Sequence, residues 1–258
     1  MGIGYIMGCL LSMVCFNFNR QKYWGKFHKK LKLQIKNKYF LQGLYLIAIS
    51  ILVLIFYFIK NNEIVNGIIA FLVIEINYVE KKSDVKRKKD QKKKFYRTLS
   101  LISKSFICGF IGPLLYISLF GNWGGILYFF INQISNDSEM NIFNVLINIL
   151  NIIPTIIGCG ILYLIYCIRN RTFKINFKGD YFSNLLNNPL LNVYIVAAYI
   201  ESVNFYYIEE KGVHYIKSYG VYSSKIDDVS IRDFLSIIYG ICFFIYIIFL
   251  IIVFVRYS

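Results

Sequence analysis

Carboxylates and histidines are scarce in this chain. It has 14 acidic residues against 29 lysines and arginines, and 2 histidines in 258 residues. His28 and His214 lie far apart, and none of the 6 cysteines (Cys9, Cys15, Cys108, Cys159, Cys167 and Cys242) stands in a CxxC pair. A zinc centre needs such ligands drawn together, so the sequence offers no ligand set for a metal. The cysteines fall in or beside apolar runs and read as small buried hydrophobes. No glycine-rich loop ends in Gly-Lys-Ser or Gly-Lys-Thr, which excludes a Walker-type phosphate cradle. No close carboxylate pair lies within an apolar run to share magnesium with a phosphate. Asp227 and Asp228 are adjacent, but they precede the last apolar run and read as a helix cap. The first residues lack a basic stretch ahead of their apolar part, so they do not read as a cleaved signal.

Long apolar runs are what the chain has in quantity, at 57% hydrophobic residues. Tyr39 to Tyr57 and Leu235 to Val255 contain no formal charge. Each approaches the ~20 apolar residues that a helix needs to cross ~30 Å of hydrocarbon. Ile64 to Val79, Phe106 to Ile134 and Ile142 to Ile168 are further runs, and Tyr5 to Phe18 is a shorter one. Gly109, Gly112, Pro113 and the turn Gly121 to Gly125 are expected to break the fourth run, and Pro154 the fifth. The fold class predicted is all-α: a polytopic helical membrane protein of about six spans or near-spans, with broken or re-entrant segments. Residues 1–258 read as a single membrane domain, placed in the cell membrane as a multi-pass protein.

The net charge of +15 lies mostly beside these runs, in residues 20–38, 81–97 and 169–178. Basic loops flanking spans mark the cytoplasmic side and attract anionic lipid headgroups, so the expected partners are the bilayer and those headgroups, not nucleic acid. The acidic tip Asn136 to Asn141 is then expected on the opposite side. Asn187 to Ile208 is apolar but carries several polar residues, and its crossing stays open, as does the side of the C-terminus. Residues 209–232 form a mixed-charge loop. No internal repeat is present, which counts against an inverted-repeat transporter.

Polar groups inside hydrocarbon mark candidate sites. Glu75, Glu201, Asn132 and Asn151 are the candidate substrate-binding residues; no catalytic residue is assigned. Each has a plainer reading. Glu75 could reach the interface, Glu201 could face water, and the asparagines, Asn148 among them, could bridge helices. Lys104 can snorkel to the headgroups.

The stretch Gly109 to Asn136, reading GFIGPLLYISLFGNWGGILYFFINQISN, resembles a segment of the CobD/CbiB membrane proteins of cobalamin biosynthesis. Asn132 falls on the asparagine of that family's Asn-Thr-Leu-Asp motif. Leu146 to Thr155, LINILNIIPT, is similar to its Asn-x-Ile-Pro stretch through Asn151, Ile153 and Pro154. Asn188 to Phe205, with Ala197 and Ala198, and Tyr215 to Tyr239 resemble its later segments, in order. The resemblance implies an ATP- and magnesium-dependent amide synthase joining a corrinoid acid to an aminopropanol phosphate. The family's acidic and asparagine positions, however, hold Ser100, Lys104, Ser105 and Cys108, its further aspartate positions hold Ser135, Ile147 and Asn148, and its arginine position holds Ile156. Such a reaction needs metal and charge stabilisation. The resemblance therefore implies either a divergent synthase or a catalytically degenerate membrane scaffold that binds a ligand or protein partner.

Overall fold

The computed structural model describes residues 2–15, 20–35, 37–58, 62–75, 98–137, 139–201, 205–208, 216–219 and 228–257. Residues 81–97 and most of 209–232 lie outside the described residues. The helices are α1 (Ile3–Val14), α2 (Arg20–Gln34), α3 (Lys38–Phe58), α4 (Glu63–Val73), α5 (Thr98–Phe120), α6 (Asn122–Ile134), α7 (Asn141–Asn170), α8 (Tyr181–Asn187), α9 (Leu190–Ile200) and α10 (Asp228–Tyr257). The expected mixed-charge loop contributes to a short antiparallel ribbon, β1 (Phe205–Ile208) with β2 (Ile216–Tyr219), in which Phe205 pairs with Tyr219.

Among the described residues, four helices are long and apolar enough to cross a membrane: α3, α5, α7 and the Ile231–Val255 part of α10. Three of them keep large apolar side chains outside, for example Ile47, Ile51 and Leu54 on α3 and Phe243, Phe244 and Ile247 on α10. In water such belts would drive aggregation; in lipid they are solvated. The remaining apolar helices are short. α1 has 12 residues, α4 has 11 and α9 has 11. At 1.5 Å per residue these reach about 17–18 Å, well short of the hydrocarbon core.

Two compact units share the chain. One comprises residues 1–77, 108–150 and 243–258; the other comprises 78–107 and 151–242. In the first unit, α1 lies against α4. A Cβ at Gly4 would strike the Glu63 carbonyl oxygen, and one at Gly8 the Gly67 carbonyl oxygen, so both positions need glycine for this approach. The Glu63 carboxylate accepts from the Gly2 and Gly4 amides, each at 2.6 Å, and so satisfies two otherwise orphaned N–H groups at the start of α1. Ser12 Oγ donates to the Ile74 carbonyl at the other end of the pair. The run Ile64 to Val79 does not return across as one helix. Its helix ends at Val73, and Ile74 is extended.

The first unit's core gathers Leu41, Tyr45 and Ile49 of α3, Tyr116 of α5, Tyr128, Ile131 and Ile134 of α6, Met140, and Phe143 and Ile147 of α7. Residues 20–38, expected as a loop, are helical over Arg20–Gln34. Trp24, His28, Leu31 and Ile35 recur at helical spacing; the three apolar ones pack on this core and His28 is buried.

Two of the three prolines behave differently from expectation. Neither Pro113 nor Pro154 breaks its helix. Around Pro113 the chain widens into a π-helical turn, Ser105–Ile111, and then continues as α-helix; the break comes at Gly121, where φ is 71°. Pro113 has no N–H for the Gly109 carbonyl four residues back, and that carbonyl accepts instead from the Glu75 amide at 2.9 Å. Pro154 lies inside the unbroken 30-residue α7. The carbonyl it leaves bare is that of Leu150, and the Tyr116 hydroxyl donates to it at 2.9 Å. Both prolines are thus tolerated because another segment supplies the missing donor, as a buried backbone carbonyl requires. Tyr116→Phe should lower the thermal midpoint, with a cost of about 0.6–1.5 kcal/mol. Combining it with Pro154→Ala, which restores the backbone donor, should remove most of that cost. Equal losses in both backgrounds would refute the assignment.

Candidate functional site

The π-turn of α5 is where two of the sequence candidates meet. The Glu75 amide takes the Gly109 carbonyl, and Asn132 Nδ2 of α6 reaches the adjacent Cys108 carbonyl at 3.5 Å. Glu75 is only 3% exposed, and Asn132 is also buried. Tyr128 of α6 completes the group: its hydroxyl faces the Cys108 thiol, and Gly112 leaves room for its ring. Ser135 Oγ donates back to the Asn132 carbonyl at 2.8 Å, a local bond at the end of α6. π-turns inside α-helices frequently occur at functional sites, because they widen the helix and redirect its polar groups. Here the result is a buried carboxylate, amide, phenol and thiol within one unit.

Asn151 and Glu201, the other two candidates, belong to the second unit. Asn151 is 1% exposed, on α7. Glu201 caps the end of α9 and meets Arg169 at 3.3 Å; the same guanidinium reaches Asp233 of α10 at 2.6 Å. Burial pushes the Glu201 carboxyl up to about 7, the nearby Arg169 charge draws it down, and Asp233 adds to the rise. Asn170 Nδ2 donates to the Tyr199 and Ile200 carbonyls, so the last turn of α9 is held by side chains from the end of α7. Within the run Asn187 to Ile208, Leu190–Ile200 is a short buried helix ending at a polar junction, not a helix of spanning length. Asn192 on that helix is spent internally, donating to the Tyr181 carbonyl at 2.9 Å and accepting from Asn184 at 3.1 Å.

A third polar group escapes the sequence reading. His28 of α2 stands between Tyr45 and Asp137: Nδ1 is 2.8 Å from the Tyr45 hydroxyl, and Nε2 is 3.0 Å from Asp137 Oδ2. Lys32 bonds the same Asp137 oxygen at 2.8 Å and reaches Glu139 at 3.0 Å. Gln42 completes the junction, donating to the Glu139 carbonyl at 3.4 Å and accepting from the Ile142 amide at 3.3 Å. Partial burial would raise the Asp137 carboxyl, but hydrogen bonds from Lys32 and His28 outweigh it and hold the group down at about 2. The acidic tip and the basic segment 20–38, expected on opposite sides, meet at the Lys38 end of α3. The signal that could have found this pairing is charge complementarity: α2 has no acidic residue, and residues 136–141 have no basic one.

Among the described residues, no three His, Cys, Asp or Glu side chains are grouped to hold a metal ion. Compared with models of protein families, with curated proteins and with solved structures, the chain matches none.

Proposed function

We propose that the chain is a multi-pass protein of the cell membrane, built on a CobD/CbiB-like scaffold, that binds a ligand or protein partner without the amide-forming chemistry. The about six spans or near-spans of this reading are the four long helices together with paired half-length ones. The observation that carries it is Ile147. It stands where the resemblance aligns one of two paired aspartates, and it is packed among Tyr45, Phe143 and their neighbours in an apolar cluster. A carboxylate there would be buried among apolar and aromatic side chains. Ser135, at another aligned aspartate, makes only a local bond to Asn132. The π-turn group of Glu75, Asn132, Tyr128 and Cys108 is the ligand site of this proposal.

The second reading is a divergent synthase, taking ATP, magnesium and a corrinoid acid. One observation favours it: Glu75, a buried acidic residue of another segment, binds the π-turn through its backbone amide, and that turn holds Cys108 at an aligned acidic position. Complementation separates the two. A bacterial strain lacking its own cobinamide synthase, supplied with this chain, is expected not to grow where cobalamin is required, although the protein is present in its membranes. Growth would overturn the non-catalytic proposal, and Glu75→Gln would then be expected to abolish it.

A further inference from the structure

The outer face of α2 is unlike that of any other described helix. Its inner stripe is committed to the core and to the His28–Asp137 junction. Outside it presents Tyr23, Phe27 and Leu33, exposed at 62%, 52% and 81%, interleaved with the exposed Lys26, Lys29 and Lys30. The helix contains no acidic residue. It is followed within four residues by α3, whose apolar belt begins with the exposed Tyr39 and Phe40. A helix joined so closely to the end of a span sits at headgroup depth. Aromatic and leucine side chains beside lysines are the composition of a helix lying in that layer.

We propose that α2 is a docking helix for anionic lipid headgroups. Lys26, Lys29 and Lys30 contact the phosphates, while Tyr23, Phe27 and Leu33 enter the boundary of the acyl chains. The junction to Asp137 fixes the helix so that this face points outward. Lys32, the lysine turned to Asp137 and Glu139, is withheld from the lipid. This inference rests on the membrane reading above, and it deepens that reading by naming one surface and one class of partner. A lysine near an anionic surface is worth about 1 kcal/mol, so three acting together have a large measurable effect.

The test titrates the full chain in neutral detergent with phosphatidylglycerol or phosphatidylcholine and counts bound lipid by native mass spectrometry. Phosphatidylglycerol is expected to bind in preference. The triple variant Lys26→Gln/Lys29→Gln/Lys30→Gln should weaken it at least tenfold, and Tyr23→Ser/Phe27→Ser about threefold. Arg232→Gln, at an exposed cation outside the three basic segments, should leave it unchanged. Thermal midpoints near wild type would show that each variant is folded. Unchanged phosphatidylglycerol binding in the triple variant would overturn the proposal. So would displacement of the lipid by equimolar inorganic phosphate with no effect of the aromatic variant, which would mark a bare anion site. Alkaline carbonate extraction separates the two levels: a chain released from membranes sinks the membrane reading itself, whereas a retained chain with unaltered lipid binding sinks only the docking helix.

Discussion

Ile147→Asp is expected to destabilise the protein by about 3–5 kcal/mol, the range for an uncompensated buried charge. The side chain sits one turn after Phe143 on α7, within the cluster that includes Tyr45 of α3 and Tyr116 of α5. None of those side chains carries a positive charge. An aspartate introduced there either ionises without a partner or takes up a proton, and both routes oppose folding. Ile147→Val, which removes one methylene, should cost about 0.5–1.5 kcal/mol and provides the scale for simple loss of packing. Thermal unfolding of both variants in detergent checks the comparison. An aspartate variant as stable as wild type would mean that the position is built to receive charge. The synthase reading would then gain and the non-catalytic one would fall.

The long apolar helices are legible in the sequence because a membrane-crossing helix meets a simple demand: about 20 apolar residues in succession. α3 and the last helix satisfy it with little interruption. Helix ends and breaks are less legible, because they depend on groups far away in the chain. The sequence shows that Pro154 lacks an N–H; it does not show that Tyr116, 34 residues before Leu150, will donate to that carbonyl in its place. Pro113 likewise reads as a break, although the Glu75 amide takes the carbonyl it bares. Candidate residues fare unevenly for the same reason. Glu75 and Asn132 stand out separately, as polar residues in apolar runs, and they meet at neighbouring carbonyls of one π-turn. His28 draws no attention as a metal ligand, because metal chemistry needs neighbours in number. Its actual partners are a tyrosine 17 residues away and an aspartate 109 residues away. Counting lysines on each side of a span does not anticipate that an acidic tip folds onto a basic helix at the same end.

Asp137→Asn should release α2 from that end at a cost of about 2 kcal/mol near neutral pH. The carboxyl falls from 3.8 to about 2 on folding, and each tenfold change in proton affinity corresponds to about 1.4 kcal/mol. Between those values the unfolded chain binds more protons than the folded one. The stabilisation is therefore fully present above pH 3.8 and is lost as pH falls through about 2. Unfolding measured across acid pH should slope downward for wild type in this window, and less steeply for Asp137→Asn. A double-mutant cycle then divides the two partners. Lys32 is 35% exposed on its side chain and His28 is 11% exposed. Solvent screens the lysine more, so coupling of Asp137 to His28 should exceed its coupling to Lys32. The Tyr45 hydroxyl on the other imidazole nitrogen strengthens this expectation, because it fixes the ring that Asp137 meets. The reverse order of couplings would mean that the junction is a screened surface pair. In that case Trp24 and Leu31, packed on the core, would hold α2, and neutralising Asp137 would leave the helix in place.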